Sequence, residues 1–333
     1  MSDFKVLVTD YAWPSLDLER GVLSGVNAEL VVAETGEEDE LVKLAPPVDA
    51  ILTCWKSVTP AVLNVAERCV MVSRYGIGLD NIAVARATEL GLIVTNVPDF
   101  CLEEVSDHVM AVLLACARRV VQFDRATSQG MWNLQAERSI PRLRGQTLGL
   151  VGFGNTARTV ARKARALGLQ VVAYTPRLTS ASVGDDAVRA PSLDALLATS
   201  DYVSIHVPLT DETRGLFDAA RLQAMKSSAY LINTSRGAVI DESALLAALN
   251  HGTIAGAALD VLIEEPPPSD HPLILHDKVL ATPHAAFYSE AAIAELARRA
   301  SEHVAEALSG SVPTHIVNRT VLDQDNLRLQ RLS

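Results

Sequence analysis

A glycine-rich turn between an apolar strand and a helix is the feature that most constrains the fold of this chain. Residues 148–152 predict the strand and residues 156–167 predict the helix. The turn has the spacing Gly-x-Gly-x-x-Ala, formed by Gly152, Gly154 and Ala157. The first glycine permits a tight turn, the second lets a ligand approach the backbone, and the third small residue allows close helix packing. The pattern predicts a binding site for a dinucleotide pyrophosphate, with a purely structural turn as the alternative.

Short β-branched runs alternate with helical stretches along the whole chain. This alternation predicts an α/β fold with parallel sheets. A chain of 333 residues is long enough for two domains, and we expect two doubly wound parallel sheets that face a cleft. The predicted strands are residues 5–9, 50–53, 70–73, 93–95, 148–152, 170–174, 201–205, 229–233, 256–260 and 279–282. The predicted helices are residues 15–24, 60–67, 82–90, 103–123, 156–167 and 289–308.

Composition excludes several classes of protein. Hydrophobic residues make up 49% and charged residues 21%, which is typical of a globular chain and not of a disordered one. The net charge of −11 argues against nucleic-acid binding. The four cysteines show neither zinc-site nor disulfide-framework spacing. The N-terminus lacks the pattern of a signal peptide, and the longest apolar run, residues 109–117, is too short to span a membrane. We therefore expect a cytoplasmic protein without a membrane partner.

A long apolar segment separates the two series of strands. Residues 103–123 predict one continuous helix, with Asp99 or Ser106 as the residue that caps its start. A basic stretch with a tryptophan, residues 125–144, follows as an extended arm. The polar C-terminal residues 323–333 predict a frayed end.

The same region predicts how the chain associates. The apolar run at residues 109–117 lies in the long helix, and the arm around Met131 and Trp132 is longer than a simple connection requires. We expect a homodimer formed through the helix and the arm.

Three polar segments each follow a predicted strand of the second series. They contain Arg236, Glu265 and His284. Ligands bind outside the carboxyl ends of the strands in an open α/β sheet. An arginine can grip a carboxylate, a histidine can move a proton near neutral pH, and a glutamate beside it would hold the ring and favour its protonated form. The alternatives are a surface charge for Arg236, a solvated loop acid for Glu265 and a helix cap for His284.

The end of the second strand of the dinucleotide motif bears on the choice of cofactor. An acidic residue is usual there and selects the unphosphorylated ribose. The position holds Thr175, which does not repel a 2′-phosphate, and Arg177 would pair with one. Pro176 instead would turn Arg177 towards solvent. The sequence therefore leaves NAD and NADP open.

Three further histidines are candidates for functional residues. His206 follows a strand and is interpreted as a cofactor-loop residue, with proton transfer as the alternative. His271 and His276 lie five residues apart without a cysteine partner, so no metal site is expected.

The chain resembles the D-isomer-specific 2-hydroxyacid dehydrogenases, and within them the C-terminal-binding-protein-like branch. The resemblance covers about residues 4–318, with the motifs in the family order. The matching segments are residues 74–81, 96–98, 152–157, 206–210, 233–241, 256–266 and 282–285.

The resemblance implies a discontinuous substrate domain and a central cofactor domain. The substrate domain, flavodoxin-like in fold, would comprise residues 1–100 and 286–333. The Rossmann domain that binds the dinucleotide would comprise residues 101–285.

The resemblance also implies roles for individual residues. Arg236 would bind the substrate, His284 would exchange the proton, and Glu265, rather than Glu264, would support the histidine. The backbone N–H groups of a substrate loop would hold the substrate carboxylate; the loop comprises Tyr75, Gly76, Ile77 and Gly78. The cofactor positions would be Gly152, Gly154, Asn155, Thr156, Thr175, Arg177, Val207, Pro208, Thr234, Ser235 and Asp260.

These features together predict an NAD(P)-dependent dehydrogenase that interconverts a 2-keto acid and a D-2-hydroxy acid. The substrate is expected to be a small or medium acid without a phosphate, because Lys56 and Arg74 are the only cations expected near it. The side chains expected to form an apolar wall of the substrate site are Trp55, Tyr75, Leu79 and Phe287. A dinucleotide-sensing binding protein of the corepressor kind, with little catalysis, is the alternative.

Overall fold

The chain folds into two compact α/β units. The structure is a computed structural model that describes residues 2–132, 140–176, 179 and 183–332. One unit comprises Met1–Phe100 and Ser289–Ser333, and the other comprises Cys101–Tyr288. Each contains one parallel sheet, so the prediction of two parallel-sheet α/β domains is confirmed. Among the described residues, no helix is long and apolar enough to cross a membrane.

The first unit is built on a five-stranded parallel sheet in the order β2-β1-β3-β4-β5. Its strands are β1 Phe4–Val8, β2 Ala28–Val32, β3 Ala50–Thr53, β4 Met71–Arg74 and β5 Ile93–Thr95. Its helices are α1 Asp17–Ser24, α2 Glu38–Leu44, α3 Pro60–Val65, α4 Val84–Glu89 and, near the C-terminus, α11 Glu290–Leu308. β2 and α2 were not predicted from the sequence. β2 is an edge strand with no fully buried residue, so it lacks the apolar run that marks β1 and β3.

The second unit is built on a seven-stranded parallel sheet in the order β12-β11-β10-β9-β6-β7-β8. Its strands are β6 Thr147–Val151, β7 Gln170–Tyr174, β8 Val188–Arg189, β9 Tyr202–Ile205, β10 Tyr230–Asn233, β11 Gly256–Leu259 and β12 Val279–Ala281. Its helices are α5 Leu102–Arg118, α6 Val120–Ser128, α7 Asn155–Ala166, α8 Leu193–Thr199, α9 Ala219–Gln223 and α10 Glu242–His251. The strand order reverses between β6 and β9, which is where ligands bind in such sheets.

The predicted continuous helix over residues 103–123 is two helices. Arg119 has a left-handed backbone, with φ of 51°, which ends α5 and starts α6. Cys101 precedes α5 without a side-chain capping bond, so the capping roles expected of Asp99 and Ser106 are wrong. The apolar run predicted to form a dimer surface is largely buried in the core of its own unit, where Val109 and Leu113 are fully buried.

The frayed C-terminus expected from the sequence is also wrong for the described residues. A short 3₁₀ helix spans Arg328–Leu332. Arg328 is 7% exposed, and its Nη1 donates to the carbonyl oxygens of Ala66 at 2.6 Å and Cys69 at 3.0 Å. These carbonyls lie in the loop between α3 and β4, so the guanidinium pairs with backbone acceptors that no helix or strand satisfies.

A buried glutamate in α1 gives the first unit a predictable pH dependence. Glu19 is fully buried, and its Oε1 accepts a hydrogen bond from Nε1 of Trp13 at 2.9 Å. Burial raises the pKa of Glu19, although its hydrogen bonds and the charge of Arg20 oppose the shift. The unfolded chain therefore releases this proton at lower pH than the folded chain. The contribution of Glu19 to stability is fully present below the pKa that Glu19 has in the unfolded chain, and it is lost as pH rises through the raised pKa of the folded chain.

We expect Glu19→Gln to stabilise the protein at neutral pH and above, because glutamine keeps the acceptor for Trp13 without a charge to bury. The gain over wild type shrinks towards zero as pH falls to about 4, where glutamate is largely protonated in both states. Urea unfolding at a series of pH values measures this difference, with exposed Glu38→Gln as the matched control. A gain that is constant across pH would contradict the assignment.

Candidate active site

Three loops at the carboxyl ends of neighbouring strands carry the polar residues that the sequence singled out. β10, β11 and β12 pair in parallel at one end of the seven-stranded sheet. Arg236 follows β10, Glu265 follows β11 and His284 follows β12. Since parallel strands end at the same edge of a sheet, the fold collects these loops where ligands bind in α/β proteins.

His284 and Glu265 are joined by a short hydrogen bond. Nδ1 of His284 lies 2.6 Å from Oε2 of Glu265. The other carboxylate oxygen, Oε1, accepts from the backbone N–H of Leu262 at 2.9 Å, so both oxygens of Glu265 are held. A carboxylate accepts hydrogen bonds, so the imidazole donates from Nδ1 and its Nε2 remains the nitrogen for exchange with a ligand. Of the two adjacent glutamates, it is Glu265 that the structure places against His284.

The same contacts set the charge of Glu265. Burial acts to raise the pKa of this carboxyl, but the hydrogen bond and charge of His284 outweigh burial and lower it. The N–H of Leu262 and the charge of Arg236 act in the same direction. The carboxylate therefore stays ionised to lower pH than an ordinary glutamate, and the pair with His284 is retained as pH falls until that lowered pKa is reached.

Asp260 organises the loop on which His284 stands. Its Oδ1 accepts from the backbone N–H of Ala285 at 2.9 Å, and its Oδ2 accepts from that of Ala286 at 3.0 Å. The hydroxyl of Thr282 donates to Oδ1 at 2.5 Å. His284 has φ of 52°, a left-handed conformation that is uncommon for residues other than glycine, although asparagine, aspartate and histidine adopt it more often than the rest, and the contacts of Asp260 support it. The geometry gives Asp260, which the sequence assigned to the cofactor, contacts that hold the His284 loop.

Arg236 stands on a loop that is fixed by a buried asparagine. Asn233 is fully buried; its Oδ1 accepts from the N–H and the hydroxyl of Ser235, and its Nδ2 donates to the carbonyl of Arg236 at 2.9 Å. Nη1 of Arg236 donates to the carbonyl of Ser235 at 2.7 Å. A Cβ on Gly237 would lie 2.0 Å from the carbonyl carbon of Leu262. The Arg236 loop thus packs backbone to backbone on the loop that fixes Glu265.

The glycine-rich turn has the geometry that a dinucleotide needs. Gly152 has φ of 95°, and a Cβ there would lie 2.4 Å from the carbonyl oxygen of His206, so the first position requires glycine. Gly154 immediately precedes α7, and a Cβ on it would meet nothing within 4 Å. The space beside the helix N-terminus is therefore open where a pyrophosphate would lie, and Ala157 is fully buried against the sheet. These residues fit the cofactor that the motif predicts.

The remaining predicted cofactor residues lie in the same unit. Thr234 follows β10 with its Oγ1 buried and, among the described residues, without a hydrogen-bond partner. Thr175 follows β7 and is half-buried. Arg177 lies outside the described residues. The other predicted positions in this unit are Asn155, Thr156, Val207, Pro208 and Ser235.

The other histidines that the sequence raised have structural partners. Nε2 of His206 lies 2.9 Å from the hydroxyl of Ser204, and burial lowers the pKa of His206 to about 4. His271 pairs with Glu242 at 3.4 Å, and Nδ1 of His276 accepts from the backbone N–H of Lys278. Within the described part of the chain, no group of three potential metal ligands comes together.

The predicted substrate loop of the first unit is only partly available to a ligand. The N–H of Tyr75 donates to the carbonyl of Thr53 at 2.8 Å, and that of Gly76 donates to the carbonyl of Arg74 at 3.0 Å. The Tyr75 ring is 1% exposed and packs edge-on against Trp13, so its assignment to an apolar substrate wall is wrong. The structure shows no acceptor among the described residues for the amides of Ile77 and Gly78, which leaves these two for a carboxylate.

One residue beside the site was missed in the sequence. Nε2 of His108, in α5, lies 3.0 Å from Oγ1 of Thr282 and 3.7 Å from Oδ1 of Asp260. No motif marks His108, which lies 174 residues from Thr282 in a helix interpreted only as packing. Only the fold brings the two together.

The chain is similar to known proteins over most of its length. The model of the D-isomer specific 2-hydroxyacid dehydrogenase NAD-binding domain matches residues 110–286. The chain is 36% identical over 298 residues to a glyoxylate reductase of Korarchaeum cryptofilum, covering 88% of this chain and 87% of that protein. It is 36% identical over 312 residues to a hydroxypyruvate reductase of Thermotoga maritima, covering 92% and 98%. It is 34% identical to a D-3-phosphoglycerate dehydrogenase of Archaeoglobus fulgidus, covering 86% of this chain but 55% of that protein.

Solved structures show the same similarity. A glyoxylate reductase from Paecilomyes thermophila superposes with a TM-score of 0.86 at 25% identity, covering 96% of this chain and all of that chain (100%). An acyclic imino acid reductase in complex with NADPH and D-Arg superposes with a TM-score of 0.84 at 26% identity, covering 94% and 99%. The chain belongs to the D-isomer specific 2-hydroxyacid dehydrogenase family. It is an oxidoreductase that uses NAD or NADP to interconvert 2-keto acids and 2-hydroxy acids.

Proposed function

We propose that this enzyme reduces a small, unphosphorylated 2-keto acid to its D-2-hydroxy acid with Arg236, Glu265 and His284 as the catalytic residues. The observation that carries the proposal is the 2.6 Å contact between Nδ1 of His284 and Oε2 of Glu265. It fixes the ring so that Nε2 is the atom that delivers a proton to the carbonyl oxygen. The lowered pKa of Glu265 keeps a negative charge beside the ring.

The reaction balances with one hydride and one proton. The glycine-rich turn at Gly152 and Gly154 would hold the dinucleotide, whose reduced nicotinamide would supply the hydride for the carbonyl carbon. The guanidinium of Arg236 holds the substrate carboxylate and polarises the carbonyl oxygen, while Nε2 of His284 protonates that oxygen. In the oxidation direction His284 takes the proton from the hydroxyl. Glu265 keeps the ring oriented through both directions.

The first unit supports an unphosphorylated substrate. Nζ of Lys56 is paired with Oε1 of Glu37 at 2.6 Å. The guanidinium of Arg74 is buried, with Nε bonded to Asn81 at 3.1 Å and Nη1 to the carbonyl of Tyr75. Arg74 is therefore buried with its own partners, and Glu37 places a negative charge beside Lys56 that would repel a phosphate.

A panel of 2-keto acids tests this substrate class. We expect glyoxylate or hydroxypyruvate to give a higher kcat/KM than phosphohydroxypyruvate, by about tenfold or more, or about 1.4 kcal/mol. Reduced cofactor consumption is followed with each acid, and pyruvate and an aromatic keto acid probe the apolar limit. A preference for phosphohydroxypyruvate would refute the substrate class but not the catalytic residues.

We further propose that the cofactor pocket accepts the 2′-phosphate of NADP(H). The position after β7 carries Thr175 and no acid, so nothing there repels a phosphate. We expect Thr175→Asp to shift the ratio of kcat/KM values towards NADH by roughly tenfold to a hundredfold, about 1.4–2.8 kcal/mol. Thr175→Asn is the matched control, because asparagine has nearly the same shape as aspartate but carries no charge. A parent enzyme that already prefers NADH by more than about a hundredfold would contradict this account.

We propose a homodimer formed through α6 and the residues that follow it. α6 buries no residue within its own unit. The exposed fractions are 54% for Val120, 50% for Met131 and 89% for Trp132, and a second copy of the chain would cover these apolar side chains. Light scattering at micromolar concentration should give the dimer mass, and Trp132→Glu should shift it towards the monomer.

The cytoplasmic location expected from the sequence also stays a proposal. It is supported by the four cysteines, which are all free and buried in the structure. Burial raises the pKa of each thiol to about 12, so none is activated for disulfide exchange. Fractionation of the native cells tests the location.

A further inference from the structure

A chain of side-chain hydrogen bonds runs from α5 to the loop that carries His284. Its members are His108, Thr282 and Asp260, all in the second unit. Asp260 is buried, with 1% of its side chain exposed, whereas 20% of the His108 side chain is exposed. In the described residues, His108 is the one basic side chain within 4.0 Å of the Asp260 carboxylate. The chain therefore connects a partly exposed histidine to a buried acid.

The direction of each hydrogen bond follows from the chemistry of the three groups. The hydroxyl of Thr282 has one proton, and it donates that proton to Oδ1 of Asp260 at 2.5 Å. Its oxygen can then only accept at the 3.0 Å contact with Nε2 of His108. Nε2 of His108 must therefore carry a hydrogen. A neutral ring with the proton on Nε2 and a doubly protonated ring both satisfy this requirement.

The loop end of the chain is where the catalytic histidine is held. The two oxygens of Asp260 accept from the backbone N–H groups of Ala285 and Ala286, and the carbonyl of Asp260 accepts from the N–H of His284 at 2.8 Å. Oδ1 accepts hydrogen bonds from two donors, the Thr282 hydroxyl and the backbone N–H of Ala285. If the hydroxyl turned away, the carboxylate would lose one donor and the left-handed backbone of His284 would lose part of its support.

We propose that His108 is a positioning residue: its Nε2–H orients the Thr282 hydroxyl onto Asp260, and Asp260 in turn fixes the loop that presents His284. This inference rests on the proposed function only in so far as His284 is the proton donor. His108 moves no proton itself. A side chain that donates a hydrogen bond from the same place should replace it, although it cannot titrate.

Three variants distinguish whether His108 acts as a hydrogen-bond donor, as a proton carrier or as a packing residue. His108→Gln keeps an N–H donor near the place of Nε2, His108→Leu removes it, and Thr282→Val removes the hydroxyl with little change in shape. We expect kcat to fall roughly tenfold to a hundredfold in the leucine and valine variants, because the loop that presents His284 shifts. KM should change by less than about threefold, because the residues that bind the substrate do not move. His108→Gln should stay within about threefold of wild type. The double variant His108→Leu/Thr282→Val should be no worse than Thr282→Val alone.

Amide hydrogen exchange of the peptide that contains residues 282–286 gives a readout that does not depend on activity. Exchange at Ala285 and Ala286 should be faster in His108→Leu and Thr282→Val than in wild type, and unchanged in His108→Gln. Unchanged exchange in the leucine and valine variants overturns the proposal, whether or not the enzyme is active. Loss of activity in His108→Gln equal to that in His108→Leu also overturns it, because a titrating group would then be needed. If the wild type reduces no keto acid while the leucine and valine variants still exchange faster than the wild type, the proposed function is refuted and this inference stands.

Discussion

Replacing His284 with asparagine should lower kcat with the best 2-keto acid by about 10²–10⁴-fold while cofactor binding stays intact. The carbonyl oxygen gains negative charge as hydride arrives, and the proton donor that we propose is Nε2 of His284, whose ring is held by the contact of Nδ1 with Glu265. Asparagine tolerates the left-handed backbone observed at position 284, where φ is 52°, so the variant loses the proton donor without straining the loop. Alanine at the same position should give a similar loss.

Steady-state kinetics and a cofactor titration measure the two halves of this prediction. His251→Asn is the matched control, because His251 is an exposed histidine in the last turn of α10 and should have no effect. Turnover that survives His284→Asn within a few-fold would show that another group donates the proton. Loss of cofactor binding in the same variant would show that the change disturbed the unit as a whole.

Gly237→Ala should abolish most activity although it adds only one methyl group, at a residue that has no reactive side chain. The new Cβ would lie 2.0 Å from the carbonyl carbon and 2.2 Å from the carbonyl oxygen of Leu262. Normal carbon contacts are about 3.5–4.0 Å, so the two loops must separate by more than about 1 Å. One loop carries Arg236, and the other fixes Glu265 through the N–H of Leu262. A displacement of about 1 Å in such a constellation can cost about a hundredfold in rate.

Both stability and kinetics are needed to interpret that result. We expect a loss of about 1–3 kcal/mol in the free energy of unfolding, which is usual for overpacking, and a loss of kcat/KM of about a hundredfold in the protein that remains folded. Gly21→Ala is the matched control, because a Cβ at Gly21 in α1 meets nothing within 4 Å and alanine favours the helix. An active Gly237→Ala enzyme would mean that the spacing of the two loops does not matter for the reaction.

Much of the fold could be predicted from the sequence because buried parallel strands are nearly continuous apolar runs. β3, β5 and β7 have the bounds that the sequence predicts, and the central strands of the second sheet are off by one residue at most. The edge strands β2 and β8 were missed, since an edge strand buries few side chains and leaves a weak pattern. The break at Arg119 was missed for a different reason: a left-handed residue other than glycine gives no local signal.

The residues of the candidate site could be predicted from the sequence, but the contacts that join them to one another and to the rest of the fold could not. The ends of β10, β11 and β12 led to Arg236, Glu265 and His284, since ligands bind outside the carboxyl ends of the strands in an open α/β sheet. The choice between the two adjacent glutamates needed the family spacing. The packing of Gly237 on Leu262 and the contact of His108 with Thr282 join segments far apart in the chain, so no local pattern contains them.

The dinucleotide-sensing alternative makes a different prediction from the enzyme. A corepressor-like binding protein would bind the cofactor through the same glycine-rich turn, reduce no 2-keto acid at a useful rate, and capture a protein partner only in the presence of the cofactor. The short contact between His284 and Glu265 favours the enzyme, because it orients a ring for proton exchange, which sensing alone does not require.

The stereochemistry of the product tests the central claim most directly. Purified enzyme is incubated with hydroxypyruvate or pyruvate and a reduced cofactor, NADH and NADPH in turn, and the hydroxy acid formed is resolved by chiral chromatography. Membership of the D-isomer specific 2-hydroxyacid dehydrogenase family predicts a single enantiomer, the D acid, and the proposed reaction predicts one cofactor oxidised for each molecule formed. Formation of the L acid, of a mixture of both enantiomers, or of no hydroxy acid with either cofactor would contradict it.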